Sequence, residues 1–221
     1  MNPLSKEFFK FFIDADKIGA LEFIDNFAKD HSYEKALPEI VEPALQEFGN
    51  RWASEDDVNL AQGYIAAKIA EEILKRIALE RRDKGIEQVS KGIAVVGNIE
   101  DDYHALGRKM VRNFLLSAGW QVYDLGNDVL AEEFVDKAVE VNASVIGASA
   151  MMVTNARNMI KVREELEMRN LSGKIKFAVG GTIFNMRPDL VKEVGGDGTA
   201  RNAMEAVDLF KRLKSEVEAS R

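Results

Sequence analysis

The sequence contains no cysteine, which excludes disulfides, iron–sulfur clusters and thiolate zinc sites. A chain without a disulfide framework fits a reducing cytoplasm. No apolar run approaches the roughly 18–20 residues that cross a bilayer, and no membrane partner is expected. The opening MNPLSKEFFKFFIDAD is amphipathic and interrupted by charges, so it lacks the grammar of a secretory signal. An excess of positive charge is missing too. There are 37 acidic against 30 basic residues, a net charge of −7, and no basic stripe. Such a surface repels phosphate backbones, which argues against nucleic acid as a partner. What remains is ordinary globular material: 46% hydrophobic and 30% charged residues in 221, enough for one large core or two smaller ones.

The chain divides into two halves with different grammar. Residues 1–85 read as helix throughout. Phe8, Phe9, Phe11, Phe12 and Ile13 cluster, and Ile18, Leu21, Ile24 and Phe27 recur near helical period. Pro38 and Pro43 each suit an early helical turn. From about Asp57 onward, Ala66, Ile69, Ile73 and Ile77 share one face. Four short-linked amphipathic helices predict a small bundle. The polar stretch ERRDKGIEQVSKG, residues 80–92, reads as a linker.

Residues 86–221 alternate strand and helix. Apolar runs at 92–97, 120–125, 144–148 and 174–179 predict four strands, and a brief segment near 195–199 predicts a fifth. Helices are expected over about 104–118, 130–141, 155–169, 189–194 and 202–217. Short buried strands separated by helices imply a parallel sheet covered on both faces. Five such units predict a flavodoxin-like, doubly wound α/β domain preceded by the helical bundle. In such sheets ligands bind outside the carboxyl ends of the strands, which directs attention to the loops there. These are Asn98–Gly107, Ser149–Asn155 and Gly180-Gly181-Thr182. His104 lies on that edge, two residues after Asp102. Imidazole is the commonest metal ligand, and a neighbouring carboxylate often fixes its orientation.

The pattern Asp102-x-His104-x-x-Gly107, then Ser149-x-Met151 after 41 residues, then Gly180-Gly181 after a further 28, resembles the cobalamin-binding signature of methionine synthase and its relatives. The resemblance covers most of residues 92–199. It implies a corrinoid, cobalamin or a close relation, whose own benzimidazole base has left cobalt and inserted as a tail into the sheet domain. His104 would then be the lower axial ligand, with Asp102 orienting it. It also implies cofactor contacts from Tyr103, Leu106, Val153, Thr154 and Thr182, and from Asp197 and Gly198 in the last loop. Gly107 would admit the tail, Gly180 and Gly181 would leave room for its base, and Ser149 would bond within the pocket. An aromatic body of roughly 150–250 Å² contributes about 4–6 kcal/mol when buried, so the tail could carry much of the affinity. Two positions depart from the family: Met151 replaces the usual leucine, a volume-conserving exchange, and Asn155 stands where a hydroxyl often completes a His–Asp–hydroxyl relay. Thr154 or Asn155 could bond Asp102 instead.

A helical module before such a domain is similar to methyltransferase corrinoid proteins and to adenosylcobalamin light sensors. The sensors pair a tryptophan with Glu-His; here Trp52 is followed, after nine residues, by Gln62-Gly63. Trp52 is therefore bundle core or a cap on the corrinoid. The first resemblance implies a cytoplasmic methyl carrier, not itself a complete catalyst, in an anaerobic methyltransferase or demethylase system. Its partners would be a substrate-specific methyltransferase, an acceptor methyltransferase and a reductive activase. The alternatives are a cobalamin-dependent sensor, a mutase small subunit and a flavodoxin-like domain without corrinoid.

Overall fold

The computed structural model describes residues 1–53, 58–84 and 90–220, apart from the side chains of residues 52, 53, 81 and 82. The chain separates into two compact units, Met1–Val89 and Ser90–Arg221.

The first unit, among its described residues, is entirely helical. Helix α1 (Pro3–Ile13) starts on an Asn2 cap that accepts from Ser5 N, with proline in the first turn where its missing N–H costs nothing. Helix α2 (Lys17–Asp30) is capped by Asp16, and α3 (Tyr33–Ala36) by Ser32. A π turn (Leu37–Val41) then runs into α4 (Glu42–Ala53). Pro38 and Pro43 thus sit early in their segments, as the sequence suggests. Helix α5 (Leu60–Asp83) buries Ala66, Ile69, Ile73 and Ile77. The phenylalanine cluster forms the interior: Phe8, Phe12 and Phe48 are fully buried, and their rings meet edge to face at 5.2 and 6.1 Å, an arrangement aromatic quadrupoles favour.

The second unit runs β1 (Ile93–Asn98), α6 (Ala105–Ser117), β2 (Gln121–Asp124), α7 (Ala131–Glu140), β3 (Val145–Ser149), α8 (Val153–Asn158), α9 (Ile160–Met168), β4 (Lys176–Gly180), α10 (Thr182–Met186), α11 (Leu190–Glu193) and α12 (Ala203–Ala219). The strands are all parallel, in the order β2-β1-β3-β4. Both faces are buried, which is why the strands read as unbroken apolar runs. Val95, Ile146 and Phe177 pack into one core with Phe134 and Leu166. Ala94, Val96 and Val145 pack into the other with Leu115, Trp120 and Phe210.

The sheet has four strands among the described residues, not five. Residues 195–199 approach β4 through a single bridge, Gly198 to Ala178. Three of those five residues are glycines, which offer no side chain to pack on a sheet face. Gly195 also takes a positive φ of 72°, which turns the chain. Two further differences lie in the helices. The expected helix over 155–169 breaks at Met159 into α8 and α9, and the short α10 follows Gly181 where a loop was expected.

Candidate functional site at the carboxyl edge of the sheet

The sheet register brings the distant motif segments together. Asn98, Ser149 and Gly180 are paired neighbours at the ends of β1, β3 and β4. Beyond them the loops continue to bond: Ile99 N donates to Ser149 O at 3.1 Å, and Ala150 N to Gly180 O at 2.9 Å. The β1 loop turns tightly, with Asp101 at φ 66°, a conformation aspartate tolerates better than most residues. Its exit is tied to the loop after β2, because Asp128 accepts from Asp101 N at 2.8 Å and from the Tyr103 hydroxyl at 2.6 Å.

Asp102 is completely buried and carries most of the geometry. Its Oδ1 accepts from His104 N at 2.8 Å and from Asn98 Nδ2 at 2.7 Å, while Oδ2 accepts from Met151 N at 2.6 Å. Burial pushes its carboxyl upward, but these donors and the facing imidazole outweigh burial and hold it below the ordinary carboxylate range. His104 Nδ1 lies 3.4 Å from Asp102 Oδ1, and its side chain is 54% exposed. With Nδ1 turned to the carboxylate, Nε2 is the nitrogen left for a metal.

Among the described residues, no group of three or more His, Asp or Glu side chains converges to hold an ion. A single imidazole can complete the coordination of a metal whose other positions are already filled, as they are inside a corrin ring. The surroundings fit such a macrocycle. Tyr103, Met151 and Met152 on these loops, and Leu106 in the first turn of α6, are large side chains that remain exposed. A Cβ built at Gly107 or at Gly180 would meet none of the described residues within 4 Å, so both glycines border space that those residues leave open. Asn155 is buried, and among the described residues neither its Oδ1 nor the Thr199 hydroxyl has a hydrogen-bond partner. Both can receive a polar group of a bound ligand.

The remaining sequence-derived residues sort clearly. Val153 is half-buried at the start of α8, while Thr154 and Thr182 are exposed. Gly181 packs directly on Ala150. Neither Thr154 nor Asn155 bonds Asp102; among the described residues that place is taken by Asn98. Asp197 and Gly198 are not brought to the loop edge. Asp197 is spent internally on Arg163 at 2.8 Å and Phe177 N at 2.6 Å, and Gly198 pairs with Ala178, short of the strand end. The side chain of Trp52 lies outside the described residues. The sequence motif assigns no role to Asn98, Arg108 or Thr199, whose polar side chains the fold buries wholly or in part. Asn98 had one legible signal, a polar residue closing a buried apolar strand.

Residues 92–208 match the B12-binding domain family, and the chain belongs to that family. Cobalamin or a related corrinoid is thus its cofactor. The sequence is 40% identical over 129 residues to dimethylamine corrinoid protein 1 of Methanosarcina mazei, covering 58% of this chain and 59% of that protein. The match therefore spans little more than half the relative's length. A corrinoid protein of Desulfitobacterium hafniense is 34% identical over 170 residues, 76% of this chain and 77% of its own. In fold, the chain is similar to a cobalamin-binding protein of Desulfitobacterium hafniense, with a TM-score of 0.74 at 23% identity over 96% of this chain and 99% of the other.

Proposed function

We propose that this chain is a methyl-carrying corrinoid protein in which His104 is the lower axial ligand and Asp102 its orienting partner. The observation that carries this reading is the buried, triply hydrogen-bonded Asp102 facing an exposed imidazole beside two glycines that border open space. When bound, the corrinoid supplies a cobalt centre that can accept and release a methyl group. The residues of the chain do the rest. Asp102, facing Nδ1, would fix the orientation of the His104 ring and leave Nε2 turned toward the cofactor. Gly107 and Gly180 leave space for the tail, and Asn155 and Thr199 offer it polar contacts. The exposed Tyr103, Leu106, Met151 and Met152 receive the apolar flank of the ring.

Residues 1–85 are proposed as a helical bundle domain and 86–221 as the corrinoid domain. The partners would be a substrate-specific methyltransferase, an acceptor methyltransferase and a reductive activase, all in the cytoplasm. The name of the Methanosarcina mazei relative suggests a methylated amine as donor substrate. A sensor role is not favoured: Gln62-Gly63 stands where the light sensors carry Glu-His. Among the described residues, no helix is long and apolar enough to cross a membrane.

Loading the protein with hydroxocobalamin tests the ligand assignment. The wild type should show the visible spectrum of a cobalamin with a nitrogen lower ligand. His104→Ala should retain the corrinoid, because the tail supplies much of the affinity, yet lose that spectrum. An unchanged spectrum in the variant would falsify the assignment. Methyl transfer from a methylated amine through a cognate methyltransferase, dependent on the loaded chain, tests the carrier role.

A further inference from the structure

We propose that Asn98, locked in place by Arg108, positions the Asp102–His104 pair and occupies the role that the resemblance gives to a hydroxyl after β3; this rests on the reading of His104 as lower ligand. Asn98 is fully buried at the end of β1. Its Nδ2 donates to Asp102 Oδ1 at 2.7 Å and to His104 O at 3.2 Å. One amide therefore holds both the carboxylate and the backbone of the ligand residue.

The other end of that amide is held equally firmly. Asn98 Oδ1 accepts from Arg108 Nε at 2.7 Å. Arg108 is itself only 5% exposed, donates from Nη2 to Asn127 Oδ1 at 3.1 Å, and forms an ion pair through Nη1 with Asp124 at the end of β2. The order of charges fixes the orientation of Asn98. Flipping the amide would point its oxygen at the Asp102 carboxylate and its NH2 at the guanidinium, two repulsive contacts in place of two attractive ones. Arg108 follows His104 by one helical turn, so the ligand-bearing turn is clamped to β1 and, through Arg108, to β2 and the loop beyond it. The guanidinium donates to Asn98 and Asn127 from Nε and Nη2 while its charge pairs with Asp124; a lysine ammonium, a single point charge, does not reproduce that planar fork.

Asn98→Asp tests the proposal with almost no change in shape. The new carboxylate still accepts from Arg108 but presents an acceptor to Asp102 where a donor stood. After loading with hydroxocobalamin, the variant should keep its corrinoid and its circular dichroism. The equilibrium constant for nitrogen coordination should fall by about tenfold or more, the usual scale for losing a supporting partner. A variant spectrum matching the wild type overturns the proposal while leaving the His104 assignment standing. If the wild type itself shows no nitrogen lower ligand, both readings fall together. Should Asn98→Asp not fold, Arg108→Lys decides: a reduced nitrogen-ligated fraction with corrinoid retained supports the clamp, and an unaltered one overturns it.

Discussion

Replacing Asp102 with alanine is expected to destabilise the apoprotein by about 2–5 kcal/mol, because donors are left in a buried site without their acceptor. Three are affected: Asn98 Nδ2, His104 N and Met151 N. They belong to β1, the turn into α6 and the loop after β3, so one carboxylate ties the first motif segment to the second. Urea unfolding of the apoprotein measures the loss; a change within 0.5 kcal/mol, roughly that of a surface substitution, would show that the carboxylate is not structural. Asp102→Asn is the subtler variant. Its amide keeps one acceptor but turns NH2 toward one of the donors, and nitrogen coordination in the hydroxocobalamin-loaded protein should weaken about 10–100-fold. The pH dependence has a definite sign. The folded carboxyl lies below its ordinary value, so its contribution is fully present above the unfolded value of about 3.9 and fades as pH falls through the folded value. Stability curves of the wild-type and Asp102→Asn apoproteins should therefore converge below about pH 4.

Much of the fold is visible in the residue pattern, for identifiable reasons. A strand buried on both faces must be apolar along its whole length, and Ile93–Asn98, Val145–Ser149 and Lys176–Gly180 largely obey this. The motif spacing then places Asp102, Ser149 and Gly180 on one edge, because every parallel strand ends on the same side. The segment at 195–199 was misleading because its position after a helix imitates a fifth βα unit, while its glycines and the inward turn of Asp197 limit it to one bridge. Backbone roles are less visible still. The motif points to the side chain of Met151, yet its contact with Asp102 is made by the backbone N–H, which any residue except proline would supply. Asn98 and Arg108 were hidden for another reason. A polar residue closing an apolar strand makes Asn98 unusual by itself, but its partner Arg108 lies on a different element, and the sequence does not say that the two meet.

The glycines of the motif make separable predictions because they are glycine for different physical reasons. Gly181 adopts φ 109°, and a Cβ there would lie 2.0 Å from Ala150 O. Gly181→Ala should therefore cost the apoprotein about 1–3 kcal/mol from backbone strain alone, with more from displacing Ala150. That displacement breaks the Ala150 N–Gly180 O bond and carries the neighbouring Met151 N away from Asp102. Gly107 is different. It lies in the first turn of α6 with nothing within 4 Å of an added methyl, and alanine is the better helix former by about 0.5–1 kcal/mol. Gly107→Ala should consequently raise the stability of the apoprotein while lowering its affinity for hydroxocobalamin, since the methyl occupies space reserved for the tail. Gly180→Ala should likewise spare the apoprotein and weaken corrinoid binding. Thermal unfolding and corrinoid titration of the three variants read both effects. If Gly107→Ala stabilised the protein and bound corrinoid as tightly as the wild type, the open space beside α6 would not be where the tail lies. Opposite signs for folding and binding would separate a glycine that leaves room for a ligand from one that merely weakens its helix.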